Sequence, residues 1–125
     1  MRSLIFVFAS SIIVILFSPA IVAACSCISS GPPCQSYWNT PIVFSGRVVE
    51  ITTPKSAEEL YPKFPEKTIR FAVNQAFRGI SGTTVEVVTG MGGGDCGYDF
   101  ELNENYLVYA DNYKGKIYAG ICSRT

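Results

Sequence analysis

The sequence predicts an all-β domain: a small closed barrel of five strands, preceded by one short helix and stapled by disulfides. Three observations predict it. Five segments rich in Val, Ile, Phe and Tyr are separated by turn residues, five cysteines are distributed around them, and an apolar export segment precedes them all. Together these features indicate a domain that folds in an oxidising compartment.

The first 24 residues have the order of a secretory signal. One positive charge at Arg2 is followed by an almost unbroken apolar run, Leu4 to Phe17, and then by small residues at the predicted cleavage site. A membrane span needs roughly 20 apolar residues, whereas this run is shorter and is followed by Pro19. We therefore expect residues 1–24 to be removed, residues 25–125 to form one domain, and the protein to be secreted.

All cysteines lie after the predicted signal, and their number favours a disulfide framework. They are Cys25, Cys27, Cys34, Cys96 and Cys122. A structural zinc site is the weaker interpretation, because the sequence has no histidine and no Cys-x-x-Cys pair. We expect the protein to have no cofactor of its own.

One helix and five strands account for most of the chain after Cys25. Pro32-Pro33 is suited to opening a helix over Cys34–Trp38, and Pro41 would end it. The strand segments are Ile42–Thr52, Lys67–Phe77, Thr83–Thr89, Glu104–Ala110 and Lys116–Cys122. Because several of them are expected to curve strongly, they suit a closed barrel better than a sandwich.

The first two strands carry further local signals. Gly46 lies inside the first strand, where a glycine often marks a bulge or a bend. The second strand alternates cleanly, and we expect one of its faces to be apolar and buried. The residues of that face are Ile69, Phe71, Val73 and Phe77, and those of the opposite face include Arg70 and Asn74.

Three connections complete the predicted barrel. Asp111–Gly115 has the length and chemistry of a hairpin loop between the last two strands. The alternating residues Tyr98, Phe100 and Leu102 are expected to extend the fourth strand. The longest loop, Thr53–Glu66, contains prolines and mixed charge, and we expect it at the surface.

Several classes of function are disfavoured. Ten basic side chains balance ten acidic ones, with no basic stripe, so nucleic acid is not an expected partner. The string Gly92-x-Gly94-x-x-Gly97 matches a dinucleotide-binding motif but lacks a following helical pattern. Without histidine, Ser and Cys nucleophiles lack their commonest base, and Asp95 and Asp99 read as turn residues. We therefore expect the protein not to be an enzyme.

The Cys25-Ser26-Cys27 tripeptide is the most informative motif. If cleavage falls before Cys25, the mature chain begins with a cysteine that carries a free α-amine. Two half-cystines around one residue would clamp a terminus that otherwise frays. An amine and its neighbouring carbonyl oxygen can occupy the open position of a catalytic zinc and displace the water needed for hydrolysis.

The ordered set of short motifs resembles the tissue inhibitors of metalloproteinases, in their N-terminal, netrin-like domain. The motifs are Cys25-Ser26-Cys27, Phe44-Ser45-Gly46, Phe77-Arg78-Gly79, Asp95-Cys96-Gly97-Tyr98 and Gly120-Ile121-Cys122. The resemblance implies an OB-fold, a five-stranded Greek-key barrel, and disulfides Cys25–Cys96 and Cys27–Cys122. It leaves Cys34 unpaired, because this sequence offers no counterpart of its usual partner.

The resemblance also implies a function and a set of site residues. The protein would inhibit zinc metalloproteases, with the amine and carbonyl of Cys25 on the zinc of the target enzyme. Ser26 would point into the pocket beside the metal. The implied protease-contacting residues are Cys25, Ser26, Cys27, Ile28, Asp95, Cys96 and Gly97. The inhibitor would be a secreted monomer.

A competing interpretation uses the same cysteine differently. Val22-Ala23-Ala24-Cys25 resembles a bacterial lipobox, and a lipid on Cys25 would leave four cysteines for two disulfides. The protein would then be a lipid-anchored binding or structural module of the cell envelope, with membrane contact through the lipid alone. Trp38 or the loop Thr53–Glu66 would serve as contacts, although such a tryptophan more often plugs the end of a barrel.

Overall fold

The computed structural model describes residues 25–28, 31–54 and 65–125. The predicted signal and most of the loop Thr53–Glu66 lie outside the described residues. The elements are α1 (Pro33–Asn39), β1 (Ile42–Thr52), β2 (Glu66–Arg78), β3 (Thr84–Gly90), a 3-10 helix (Gly93–Asp95), β4 (Asn105–Tyr113) and β5 (Lys116–Tyr118). No helix in these ranges has both the length and the apolar character needed to cross a membrane.

The five strands close into a barrel in the order β1-β2-β3-β5-β4, with β4 returning to β1. All neighbours are antiparallel except β3 and β5, which meet in parallel at Val88 and Tyr118. A five-stranded Greek-key barrel of this kind is the OB-fold. The predicted fold class is therefore confirmed, including the short helix and the disulfides.

Helix α1 begins and ends where proline chemistry predicts. Pro33 occupies the first helical turn, where its missing N–H costs nothing. At the other end the N–H of Thr40 donates to the carbonyl of Ser36 at 3.0 Å, and Pro41 follows. Proline disfavours the helical conformation in the residue before it. The helix therefore ends here, and the chain continues into β1.

Strand β1 bends strongly enough to pair with both β2 and β4. Its register against β2 shifts between Ser45 and Gly46 and again between Val48 and Glu50. A Cβ at Gly46 would lie 2.8 Å from the carbonyl oxygen of Ala72, so only glycine allows this approach. The irregularity predicted at Gly46 is present, but the extra residue at that point is Asn74 of β2, whereas the extra residue of β1 is Val49.

The barrel core is aromatic and aliphatic. Phe71 packs edge-on against Phe44 and Phe100, with ring centroids 5.4 and 5.3 Å apart. Around these rings lie further buried side chains, namely Val48, Ile69, Val87, Val108, Ala110 and Ala119. Edge-to-face aromatic pairs contribute beyond their buried area, so this cluster stabilises the fold.

The alternation expected for β2 fails at Phe77. Ile69 and Phe71 are fully buried and Val73 packs against the core, but the side chain of Phe77 is 44% exposed. The pairing explains the difference, because Val43 lies opposite Arg78 while Phe44 lies opposite Ala76. Phe77 is the extra residue of a bulge, and a bulge interrupts the alternation of faces.

The last two strands differ in length from the prediction. β4 continues through the predicted hairpin loop to Tyr113, and the turn consists of Lys114 and Gly115 alone. Both have positive φ, 50° and 79°, as in the two-residue turns that match strand twist. β5 ends at Tyr118 instead of Cys122. Ala119 still packs in the core, Gly120 pairs with Gly97 as an isolated bridge, and Cys122 forms a disulfide with Cys27.

The predicted extension of β4 by Tyr98, Phe100 and Leu102 is also wrong. These residues lie in an irregular segment ahead of the strand. Phe100 is buried and Tyr98 packs against the core, whereas Leu102 is 54% exposed. The alternation of these three residues therefore indicates which side chains pack at the end of the barrel, but it does not indicate that the segment pairs as a strand.

Candidate functional site

Two disulfides tie the described N-terminal segment to the barrel. Cys25 bonds to Cys96 and Cys27 bonds to Cys122, with Cα–Cα distances of 5.7 and 5.1 Å. Both pairings implied by the resemblance are present. The bonded cysteines are 71 and 95 residues apart in sequence, so the chain-entropy model sets an upper value of about 4–5 kcal/mol on the stabilisation by each bond.

We call this region the stapled edge: residues 25–28, the loop 91–97 and the segment 119–122. The side chains of Ser26 and Ile28 are exposed, and Ile28, at 94%, is the most exposed large hydrophobic residue in the described ranges. Because half-cystines flank Ser26 on both sides, its backbone is held by covalent bonds. The edge thus presents two outward side chains on a fixed backbone.

The loop that carries Cys96 is organised by the side chain of Asp95. One carboxylate oxygen accepts from the N–H of Gly92 at 2.9 Å and from that of Gly97 at 3.1 Å. The other oxygen accepts from the N–H of Met91 at 2.6 Å. Burial by itself raises the pKa of Asp95, but these backbone hydrogen bonds outweigh it and hold the pKa below its ordinary value.

Two glycines of the stapled edge allow its backbone segments to lie very close to neighbouring backbone. A Cβ at Gly97 would lie 2.3 Å from the carbonyl oxygen of Gly90. A Cβ at Gly120 would lie 2.8 Å from the carbonyl oxygen of Cys96. Gly97 and Gly120 pair as an isolated antiparallel β-bridge. The N–H of Ile121 donates to the carbonyl oxygen of Cys96 at 3.0 Å. The segments that carry the two anchoring cysteines therefore lie side by side.

The glycine string that resembles a dinucleotide motif has this structural role. Only the 3-10 helix Gly93–Asp95 follows β3, and no α-helix begins in the described residues after it. A pyrophosphate site of that type needs a helix N-terminus, which this segment does not provide. Gly92 and Gly97 belong to the Asp95 turn instead.

The carboxylate of Asp99 has a different kind of partner from that of Asp95. Its carboxylate pairs with the ammonium of Lys67 at 3.0 Å, and its side chain is 86% exposed. Both carboxylate oxygens of Asp95 accept hydrogen bonds from backbone N–H groups. Both carboxylates thus act as local structural acceptors, as the turn interpretation predicts.

An open cavity of about 380 Å³, lined by both polar and apolar atoms, lies between the stapled edge and the end of α1. Its lining includes Asp95, Asp111, Tyr118 and Arg124. The Tyr118 hydroxyl donates to the carboxylate of Glu66 at 3.1 Å. Burial, followed by this hydrogen bond, raises the pKa of Tyr118 to about 12. Across the described ranges, no cluster of three or more His, Cys, Asp or Glu residues is arranged to hold a metal ion.

Helix α1 carries the remaining cysteine and the tryptophan. Cys34 is exposed and forms no disulfide within the described residues, as the resemblance implies. Trp38 is 71% exposed, so the interpretation of this residue as a plug over the barrel end is wrong. Ser36 is the buried residue of the helix, and at 3.6 residues per turn a residue two positions later points to the opposite side.

The structure brings together the predicted site residues of two segments that are far apart in sequence, residues 25–28 and 95–97. Cys25, Ser26, Cys27 and Ile28 form one continuous segment, and Cys96 is bonded to its first residue. The carboxylate of Asp95 points into its own loop instead of outward. Sequence reasoning did not identify Gly90 or Thr89, whose buried hydroxyl accepts from the N–H of Tyr98 at 2.8 Å. The glycine at position 90 was the one sequence feature that could have indicated this close approach of the loop to β3.

No protein-family model matches this chain, and a search of curated proteins finds no match either. The geometry of the stapled edge and the motifs of the sequence therefore carry the functional argument.

Proposed function

We propose that the protein is a secreted inhibitor of zinc metalloendopeptidases, which chelates the catalytic zinc with the α-amine and the carbonyl oxygen of Cys25 once residues 1–24 have been removed. The observation that carries this proposal is the pair of disulfides on either side of Ser26. The motifs shared with the tissue inhibitors of metalloproteinases support it. The zinc belongs to the target enzyme, and the inhibitor needs no cofactor.

Rigidity is what makes such an edge useful for inhibition. Binding costs free energy when flexible segments become ordered, and a segment held in its bound conformation avoids that cost. Both disulfides remove this freedom from residues 25–27 before the target is met. A catalytic zinc has three protein ligands and an open position for water or substrate. An amine and a carbonyl oxygen delivered together would displace that water.

The exposed residues beside Cys25 have separate roles in this proposal. Ser26 enters the pocket next to the zinc, and its small side chain demands little room. Ile28, 94% exposed, offers apolar area to the protease surface. Cys27, Cys96 and Gly97 contribute backbone to the same edge. Asp95 supports the loop from within, because its carboxylate is engaged by three N–H groups.

Disulfide formation at Cys25 also supports the free terminus over the lipid-anchored alternative. A sulfur atom that is bonded to Cys96 is not available for a thioether to lipid. Intact mass of the mature protein distinguishes the two proposals. We expect a chain that starts at Cys25, lacks a lipid increment and contains two disulfides. A lipid on Cys25 would instead assign the protein to the cell envelope as a binding module.

The proposed chelation predicts a pH dependence. A free α-amine has a pKa of about 7.7–8.0, and only the unprotonated amine binds a metal. Inhibition should therefore weaken as pH falls below neutral. The change should follow the protonation of one group, since the disulfide-bonded sulfur atoms do not titrate.

The decisive variant adds one alanine before Cys25. The protein and the variant are assayed against the catalytic domain of a matrix metalloproteinase and against thermolysin, two zinc endopeptidases. We expect the extension to abolish inhibition and to leave both disulfides and the unfolding transition unchanged. Trp38→Ala is the matched control, because Trp38 is exposed on α1 and is not part of the stapled edge. An extended protein that inhibits as well as the native one would rule out chelation.

A further inference from the structure

We propose that Asp95 is a positioning residue of the stapled edge: its carboxylate fixes the loop that carries Cys96 and, through the Cys25–Cys96 disulfide, the backbone of Cys25. The consequence for inhibition rests on the proposed function, whereas the effect on the loop does not. The sequence-based expectation that Asp95 contacts the protease is replaced by an indirect role.

The hydrogen bonds of Asp95 span the whole loop. Its carboxylate oxygens accept from the N–H groups of Met91 and Gly92 before it and of Gly97 after it. One side chain therefore hydrogen-bonds to the backbone at both ends of the turn. Hydrogen bonds to a charged acceptor are roughly twice as strong as neutral ones. Between these ends lies Cys96, with a φ of 61°. A non-glycine residue in this left-handed region is held there by its surroundings.

The barrel is shaped to receive this carboxylate. A Cβ at Gly90 would lie 2.7 Å from the carboxylate carbon of Asp95 and from both of its oxygens. Glycine at the end of β3 therefore leaves the space that Asp95 occupies. The close approach of Gly97 to Gly90 follows from the same arrangement, with 2.3 Å between a Cβ at Gly97 and the Gly90 carbonyl oxygen. The loop is seated against β3 by the combination of carboxylate and glycines.

The disulfide transmits this position to the chain terminus. Cys25 is joined to Cys96, and the Cα atoms of the pair are 5.7 Å apart. Cys27 is anchored separately through Cys122 in the segment after β5. Loss of the Asp95 hydrogen bonds would thus loosen the anchor of Cys25 and leave that of Cys27 in place. This asymmetry gives the proposal a signature that a general loss of stability would not produce.

Amide hydrogen exchange tests the loop directly. In Asp95→Ala we expect the amides of Met91, Gly92 and Gly97 to exchange at least about tenfold faster, because each loses a charge-assisted acceptor. Asp95→Asn keeps one acceptor oxygen, so protection should persist at Gly92 and Gly97 and be lost at Met91. Glu86→Ala is the matched control, since the Glu86 carboxylate pairs with Arg70 on the outer barrel surface and its loss should leave all three amides unchanged.

Reduction by a limiting thiol tests transmission to the terminus. In Asp95→Ala the Cys25–Cys96 bond should be reduced at least about tenfold faster while Cys27–Cys122 is not, because only the first bond loses its local support. Gly90→Ala, which displaces the carboxylate without removing its charge, should give the same selectivity. Unchanged amide protection in Asp95→Ala would overturn the proposal, as would equal acceleration of both disulfides.

Inhibition of the matrix metalloproteinase catalytic domain at pH 8 provides the last measurement. We expect Asp95→Ala to weaken it at least about tenfold, with partial recovery in Asp95→Asn. If the loop loosens and inhibition is unchanged, the positioning role is wrong. If the native protein does not inhibit at all, the proposed function fails, and selective reduction of Cys25–Cys96 in Asp95→Ala still supports the positioning role.

Discussion

The barrel core and the stapled edge of this protein are held by different interactions. In the core, Phe44, Phe71 and Phe100 pack ring against ring, and their neighbours are aliphatic side chains and the rings of two tyrosines, Tyr98 and Tyr106. At the stapled edge, disulfides, glycines and the acceptors of Asp95 hold backbone against backbone, while Ile28 is left in solvent. Because different interactions hold the two regions, a substitution in the core and a substitution at the stapled edge should change different measured properties.

The largest effect is expected from the core. Phe71→Ala removes a fully buried ring that packs against three others, and the cavity should lower the free energy of unfolding by about 3–5 kcal/mol. Urea denaturation measures it. The same substitution at Phe77, which is 44% exposed, should cost less than about 0.5 kcal/mol. Similar losses for the two variants would contradict the assignment of the core.

A slightly smaller effect is expected from the stapled edge. The double variant Cys27→Ser/Cys122→Ser should lower the free energy of unfolding by about 2–5 kcal/mol, because the unfolded chain gains freedom. Circular dichroism should still report the barrel, while inhibition should fall much further than the folded fraction does. Cys34→Ser is the control and should change neither quantity, since Cys34 is exposed and forms no disulfide. If inhibition falls only as far as the folded fraction does, the proposed difference between the core and the stapled edge is wrong.

The cavity behind the stapled edge predicts an effect at high pH. The pKa of Tyr118 is about 12 in the folded protein against an ordinary 10.0, mainly because of burial and then its hydrogen bond to Glu66. Its contribution to stability is therefore complete below pH 10 and is lost as pH rises towards 12. Tyrosinate absorbance should show a late component that disappears in Tyr118→Phe. Tyr113→Phe, at a residue 60% exposed, should retain it; loss of the late component in this control would contradict the assignment.

The smallest effect is expected on the outer barrel surface. Arg70 pairs with Glu50 and Glu86, but all three side chains are about half exposed. Such pairs contribute little because solvent screens them. Arg70→Gln should leave the urea midpoint and the inhibition of zinc endopeptidases within experimental error of the native values. A large shift of the midpoint that disappears at high salt would show that the outer surface matters more than this account allows.

Sequence patterns predicted the parts of the fold that depend on local chemistry. Pro33 and Pro41 delimit α1, and Gly46 marks the bend that lets β1 pair on both sides. They failed at two places for different reasons. Phe77 is turned outward by a bulge against β1, a strand far away in sequence that no local pattern reveals. Asp111 has the residue type of a turn but pairs with Tyr118 in the next strand of the same hairpin, so turn chemistry placed the loop too early.

The candidate site was predictable to a similar degree. The resemblance to a known family implied residues 25–28 and 95–97 of this edge and both disulfide pairings, and the structure contains those pairings. The role of Asp95 was not predictable, because it depends on the direction of one carboxylate and on the absence of a Cβ at Gly90. The exposure of Trp38 was also missed, since it follows from which face of α1 meets the barrel.

The most direct test is a crystal structure of the protein bound to the catalytic domain of a zinc endopeptidase that it inhibits. The proposed chelation predicts the amine nitrogen and the carbonyl oxygen of Cys25 at about 2.0–2.2 Å from the zinc, with no water on the metal and Ser26 in the adjoining pocket. A zinc that keeps its water, with Cys25 outside the coordination sphere, would contradict it.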